Sequence, residues 1–93
     1  MDYGKALTIV RASKGLNQKD FAELIGKTPS YVSRVESNDR KLSLDMVDTI
    51  CDKLGIPVAL FMLLGKKNKD MNEYDQRLVD ELGSELLRVI TEG

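Results

Sequence analysis

The 93-residue sequence contains no histidine, and that absence removes more chemistry than any other count. Ser-His-Asp triads, Cys-His pairs, His-ligated zinc and imidazole catalysis at neutral pH all require it. Cys51 is the single cysteine, so it closes no intramolecular disulfide; on an apolar helical stripe it reads as a small buried thiol. Gly26-Lys27-Thr28 resembles the end of a phosphate-binding loop, but Phe21 stands where the loop's first glycine belongs. Asp45, Asp48 and Asp52 follow i, i+3, i+7 spacing without the loop or the oxygen count of a calcium site, and they read as a solvated helix face. The sequence therefore predicts no enzyme, no metal and no cofactor.

Charge is the chemistry that remains. The net charge is only −1, but it is unevenly spread. Lys5 to Lys41 hold eight cations against four anions, whereas residues after 41 hold six cations against ten anions. A basic N-terminal half and an acidic C-terminal half suit a face for a polyanion with a solvated back.

The elements that must position these charges follow from composition and period. At 42% apolar and 31% charged, the chain is a soluble globular domain rather than a disordered or collagen-like one. Its longest apolar-rich run, Ile56 to Leu64, is far short of the about 18 residues a membrane helix needs. With no basic leader pattern, no glycosylation sequon and no cysteine pair, a reducing cytoplasm is the expected compartment. Strand formers never alternate cleanly, so the predicted fold class is all-α.

The first helix is predicted over Tyr3 to Lys14, stopped by Gly15. Asn17 caps a second over Gln18 to Ile25, with Phe21, Ala22, Leu24 and Ile25 apolar and Gly26 as its stop. Thr28 caps a third to about Glu36, and Pro29 at its first position gives up an amide hydrogen that had no partner. Val32 and Val35 face inward, leaving Ser30, Ser33, Arg34 and Tyr31 for solvent or a ligand. Ser43 caps a fourth helix with Leu44, Val47, Ile50, Cys51 and Leu54 on its stripe. Pro57 opens a fifth to Leu64. The expected organisation is a domain over 1–65, a polar linker over 66–71 and an amphipathic C-terminal helix within 72–93.

Two short helices joined by a tight Gly-containing turn form a helix-turn-helix unit. Gly15-Leu-Asn-Gln-Lys-Asp-Phe-Ala-Glu-Leu-Ile-Gly26, followed by Thr28-Pro-Ser-Tyr-Val-Ser-Arg-Val-Glu36, resembles the Cro and phage-repressor (XRE) family. The likeness runs from about residue 3 to 64 and includes Leu54-Gly55-Ile56. It implies a five-helix lambda-repressor-like DNA-binding domain, here with an additional C-terminal helix. It also implies sequence-specific binding of double-stranded DNA and transcriptional regulation, chiefly repression, by a recognition helix in the major groove.

By the same resemblance, Gln18 matches a glutamine that bonds a DNA phosphate, a contact that sets register rather than sequence. Thr28, Pro29, Ser30, Tyr31, Ser33 and Arg34 match the groove-facing part of the recognition helix, with Arg34 able to pair bidentately with guanine. Pro29 departs from the family pattern and brings no side-chain donor. Asn38 replaces a usual glycine after the third helix, where asparagine tolerates the left-handed conformation, and Leu42 replaces a frequent proline. Lys27, Arg40 and Lys41 are phosphate-contact candidates beside that helix. The family match at Arg11 and Glu36 predicts an ion pair between the first and third helices.

Val79, Leu82, Leu86 and Val89 step by three, four and three, a heptad-type seam. With Phe61 and Leu64 of the apolar fifth helix they are expected to form a homodimer interface, and a two-fold dimer matches an inverted-repeat operator. Folding of the C-terminal helix back onto its own domain is the competing expectation. The competing function is a protein-interaction module, or an antitoxin, on a helix-turn-helix scaffold with weak or no DNA binding.

Overall fold

The computed structural model describes residues 1–81, and among them the chain is all-helical. Side-chain caps start most of the helices. Helix α1 spans Tyr3–Ser13, with the Asp2 carboxylate accepting from the Lys5 amide at 2.9 Å. Helix α2 spans Gln18–Ile25 behind Asn17, whose side-chain oxygen accepts from Asp20 N at 2.7 Å. Thr28 and Ser43 do the same for α3, Pro29–Glu36, and α4, Leu44–Leu54, each at 3.1 Å. Each such cap satisfies an amide that the helix cannot, a contribution of about 1 kcal/mol.

Helix α5, Val58–Leu64, follows Pro57, and a short 3-10 turn at Asn68–Asp70 leads into α6, helical over 73–81 as far as the described residues reach. Asn72 and Asp75 cap α6 reciprocally. The Asn72 side-chain oxygen accepts from Asp75 N at 2.7 Å, and the Asp75 carboxylate accepts from Asn72 N at 3.4 Å. Among the described residues no helix is long and apolar enough to cross a membrane.

Helix α1 packs on α3 and α5, and α2 packs on α3 and α4. Leu7, Val10, Phe21, Val32, Val35, Val47, Ile50 and Phe61 are essentially excluded from water. Full burial of such a side chain contributes roughly 1.5–3 kcal/mol. Helix α3 thus spends Val32 and Val35 on the core and leaves its opposite side outside.

The apolar residues of these helices divide between core and surface. Leu24 is 40% exposed because Phe21, Ala22 and Ile25 occupy the inward face of α2, and Leu44 is 68% exposed in the first turn of α4, before Val47 enters the core. Phe61 and Leu64, expected at an intermolecular interface, are instead 0% and 3% exposed; with Leu60 they are the inward face of α5. Val79 packs against the core of its own domain. Leu82, Leu86 and Val89 lie outside the described residues.

Candidate nucleic-acid interface

The turn between α2 and α3 begins at Gly26, whose φ of +71° is open to glycine at little steric cost. Lys27 N returns to Ala22 O at 2.8 Å, which closes the end of α2, and Thr28 then starts α3. This local geometry projects Ser30, Ser33 and Arg34 outward from α3; all three are exposed, as are Lys27, Thr28 and Pro29. Thr28 spends its hydroxyl oxygen on the cap. Pro29 presents only its ring.

Tyr31 is half-buried against the core and serves as a platform for two cations. The Lys27 ammonium lies 5.2 Å from its ring centroid and the Arg40 guanidinium carbon 4.9 Å. At partly exposed sites each such contact is worth about 0.5–1 kcal/mol, enough to bias where long side chains rest. Sequence gave no hint of this arrangement, because Arg40 reaches Tyr31 only after the chain has turned back. That return is built on one carbonyl: Arg34 O accepts from Asp39 N at 2.8 Å, Arg40 N at 3.1 Å and the Ser37 hydroxyl at 3.1 Å. Arg40 and Lys41 are exposed at its end.

The N-terminus of α2 is tied to the C-terminus of α3 by a charged network. Arg11 Nε donates to Glu36 Oε2 at 2.7 Å, its second terminal nitrogen donates to Oε1 at 3.1 Å, and its first donates to Leu16 O at 2.7 Å. Gln18 Nε2 donates to Glu36 Oε1 at 3.1 Å. The Arg11 and Glu36 side chains are only 18% and 8% exposed. Gln18, assigned to a phosphate by resemblance, is therefore positioned by Glu36, and its remaining amide hydrogen is the one left for another acceptor.

Asn38 adopts φ +64°, alone among the described non-glycine residues in the left-handed region. Its side-chain oxygen accepts from Gly4 N at 3.1 Å and its amide donates to Asp2 Oδ1 at 3.0 Å. Gly4 matters for a reason the sequence did not reveal. A Cβ there would meet the carbonyl oxygens of Glu36 and Val35, the latter at 2.7 Å, so α1 and the end of α3 approach as backbone on backbone.

Cys51 is buried in α4, where burial, with Asp48 beside it, pushes the thiol above its ordinary value and keeps it protonated. Among the described residues no group of three or more cysteine and carboxylate side chains could hold a metal ion.

The helix-turn-helix family matches residues 7–61. Antitoxin PezA of Streptococcus pneumoniae serotype 4 is 27% identical over 88 residues, 90% of this chain. The chain spans 56% of that relative's length. The crystal structure of the clp gene regulator ClgR from C. glutamicum superposes with a TM-score of 0.64 at 30% identity, covering 69% of this chain and 83% of that one. With the tight turn, the exposed third helix and its basic flanks already in place, the chain belongs to the helix-turn-helix family of Cro and phage-repressor (XRE) type, whose fold is that of DNA-binding transcription regulators.

Proposed function

We propose that the chain is a cytoplasmic, sequence-specific repressor that inserts α3 into the major groove of double-stranded DNA. One observation carries the reading: Ser30, Ser33 and Arg34 are exposed on one helix, bracketed by exposed Lys27, Arg40 and Lys41, while the nearby acid Glu36 is neutralised by Arg11. Arg34 and the serines read base edges, and the flanking cations and Gln18 grip phosphates. Residues 1–65 form the DNA-binding domain, 66–71 join it to the C-terminal segment, and a homodimer addresses an inverted repeat. Selection of bound sequences from random duplexes tests this. Enrichment of a two-fold symmetric site with affinity falling steeply with salt is the expected result. No enrichment and no salt-dependent retention would reject it.

The likeness to an antitoxin along 90% of the chain favours a second reading, in which the same domain represses its own operon and a further partner is a toxin. The chain covers 56% of that relative's length.

A further inference from the structure

Beside the recognition helix lies an open cavity of about 530 Å³, walled by Tyr3 and Asp2 at the start of α1, by Arg40 and Lys41 after α3, and by Lys67 after α5. Three cations from two distant stretches of chain converge there. The carboxylate in the same wall offsets one of these three charges: Asp2 Oδ1 accepts from Lys5 N at 2.9 Å and from the Asn38 amide at 3.0 Å, and it lies in the field of Lys67. Lys41 and Lys67 form no ion pair among the described residues. The cavity therefore has an excess of positive charge that an anion would relieve.

Lys67 is held in this wall by the fold. Asp2 N donates to Gly65 O at 2.6 Å and Lys5 Nζ to Lys66 O at 3.4 Å, so residues 65–66 are pinned to the first turn of α1. A Cβ on Gly65 would come within 3.0 Å of Asp2 O, which shows how closely the segments run. Lys66 is in turn paired with Asp75 of α6 at 2.5 Å. On the other wall, Arg40 lies over Tyr31 in the first turn of α3. Arg40 thus links the cavity to the recognition helix.

We propose that this cavity takes a phosphate of the DNA backbone, flanking the groove that α3 enters, and that Lys67 is a DNA-contacting residue. This rests on the DNA-binding reading above. The segment after α5 then extends the phosphate track that begins at Lys27 and Arg40.

The test measures affinity for a random-sequence duplex of about 30 base pairs across a salt series, comparing wild type with Lys67→Gln, Lys67→Arg and a control, Lys53→Gln, at an exposed position of α4. Loss of one phosphate contact lowers the slope of log affinity against log salt by about 0.9, and it weakens binding roughly fivefold to tenfold near 0.1 M salt. Lys67→Gln is expected to show both changes and Lys67→Arg neither, with Lys53→Gln close to wild type. Steep salt dependence in the wild type with an unchanged Lys67→Gln slope, or a loss no greater than that of Lys53→Gln, overturns the phosphate site alone. A wild type without salt-dependent binding overturns the DNA-binding reading itself.

Discussion

Glu36 orients Gln18: one carboxylate oxygen accepts from the glutamine amide at 3.1 Å while Arg11 donates to both oxygens. The network that closes α3 on α1 thereby also sets the approach of α2 to a ligand. With side chains 18% and 8% exposed, the ion pair is mostly out of water, where removing one partner strands a charge at a cost of about 3–5 kcal/mol. Arg11→Ala should accordingly lower the urea midpoint strongly, and Arg11→Ala with Glu36→Gln should recover part of the loss. A single variant with an unchanged midpoint would show the pair to be as weak as an exposed one.

The Asn38 turn gives a graded series. Asn38→Ala forces a Cβ without a compensating polar group into φ +64° and loses both side-chain bonds, for about 2 kcal/mol. Asn38→Gly keeps the turn and loses only the bonds, for about 1 kcal/mol. Gly4→Ala should exceed both, at about 3 kcal/mol, because its new methyl meets rigid carbonyls rather than a movable side chain. Thermal or urea unfolding would rank them, and equal stability of Gly4→Ala and wild type would mean the two helices part without cost.

These residues mark what could be read from the sequence. Asn17, Thr28 and Ser43 announced helix starts because a cap is a local bond, made within three residues, and Gly26 and Gly55 stop helices through their own φ. The outward face of α3 was legible because Val32 and Val35 fix its rotation. Leu44, Phe61 and Leu64 sit elsewhere than their pattern implies because hydrophobicity says that a residue seeks cover, not which neighbour supplies it. Gly4 and Lys67 depend on segments tens of residues apart, and the Tyr31 platform on the turn that brings Arg40 back, none of which periodicity encodes.

Two carboxylates make stability fall with acid. Asp2 is held below its ordinary value of 3.8 chiefly by the Asn38 amide and then by the Lys5 N–H, and Asp75 chiefly by its hydrogen bond from Lys66. A lowered folded-state value means that the contribution is complete above the ordinary value and disappears as pH falls through 3.8 toward the folded one. Asp2→Asn and Asp75→Asn should each be less stable than wild type at neutral pH, and the difference should close as pH drops from about 5 to about 2. A constant difference across that range would assign the effect to packing.

Arg34 and Gln18 should differ in kind once a bound sequence is known. Arg34 is exposed on the recognition helix, whereas Gln18 is anchored to Glu36 at the entrance of α2. Arg34→Ala is expected to cost about 1–3 kcal/mol on the selected site and to relax preference at one base pair. Gln18→Ala should weaken selected and random duplexes alike. Equal losses on both duplexes for Arg34→Ala would move that residue to the phosphate track.

The oligomer prediction turns on where apolar surface remains once the domain is closed. Phe61 and Leu64 are consumed by the core, and Val79 packs onto it, so α5 offers a partner chiefly Val58, 40% exposed, and α6 offers Tyr74, 65% exposed. Leu82, Leu86 and Val89 lie outside the described residues, and by their spacing they form an apolar seam that needs cover. A chain ending at Glu81 keeps the Lys66–Asp75 pair and the Val79 contact, so it preserves the domain while removing the rest of the seam. Full-length protein is expected to sediment as a dimer at micromolar concentration and the shortened chain as a monomer, with weaker binding to an inverted repeat whose half-sites lie about 34 Å apart. A shortened chain that stays dimeric would place the interface on Val58 and Tyr74, and a monomeric full-length chain would remove the two-fold operator from the proposal.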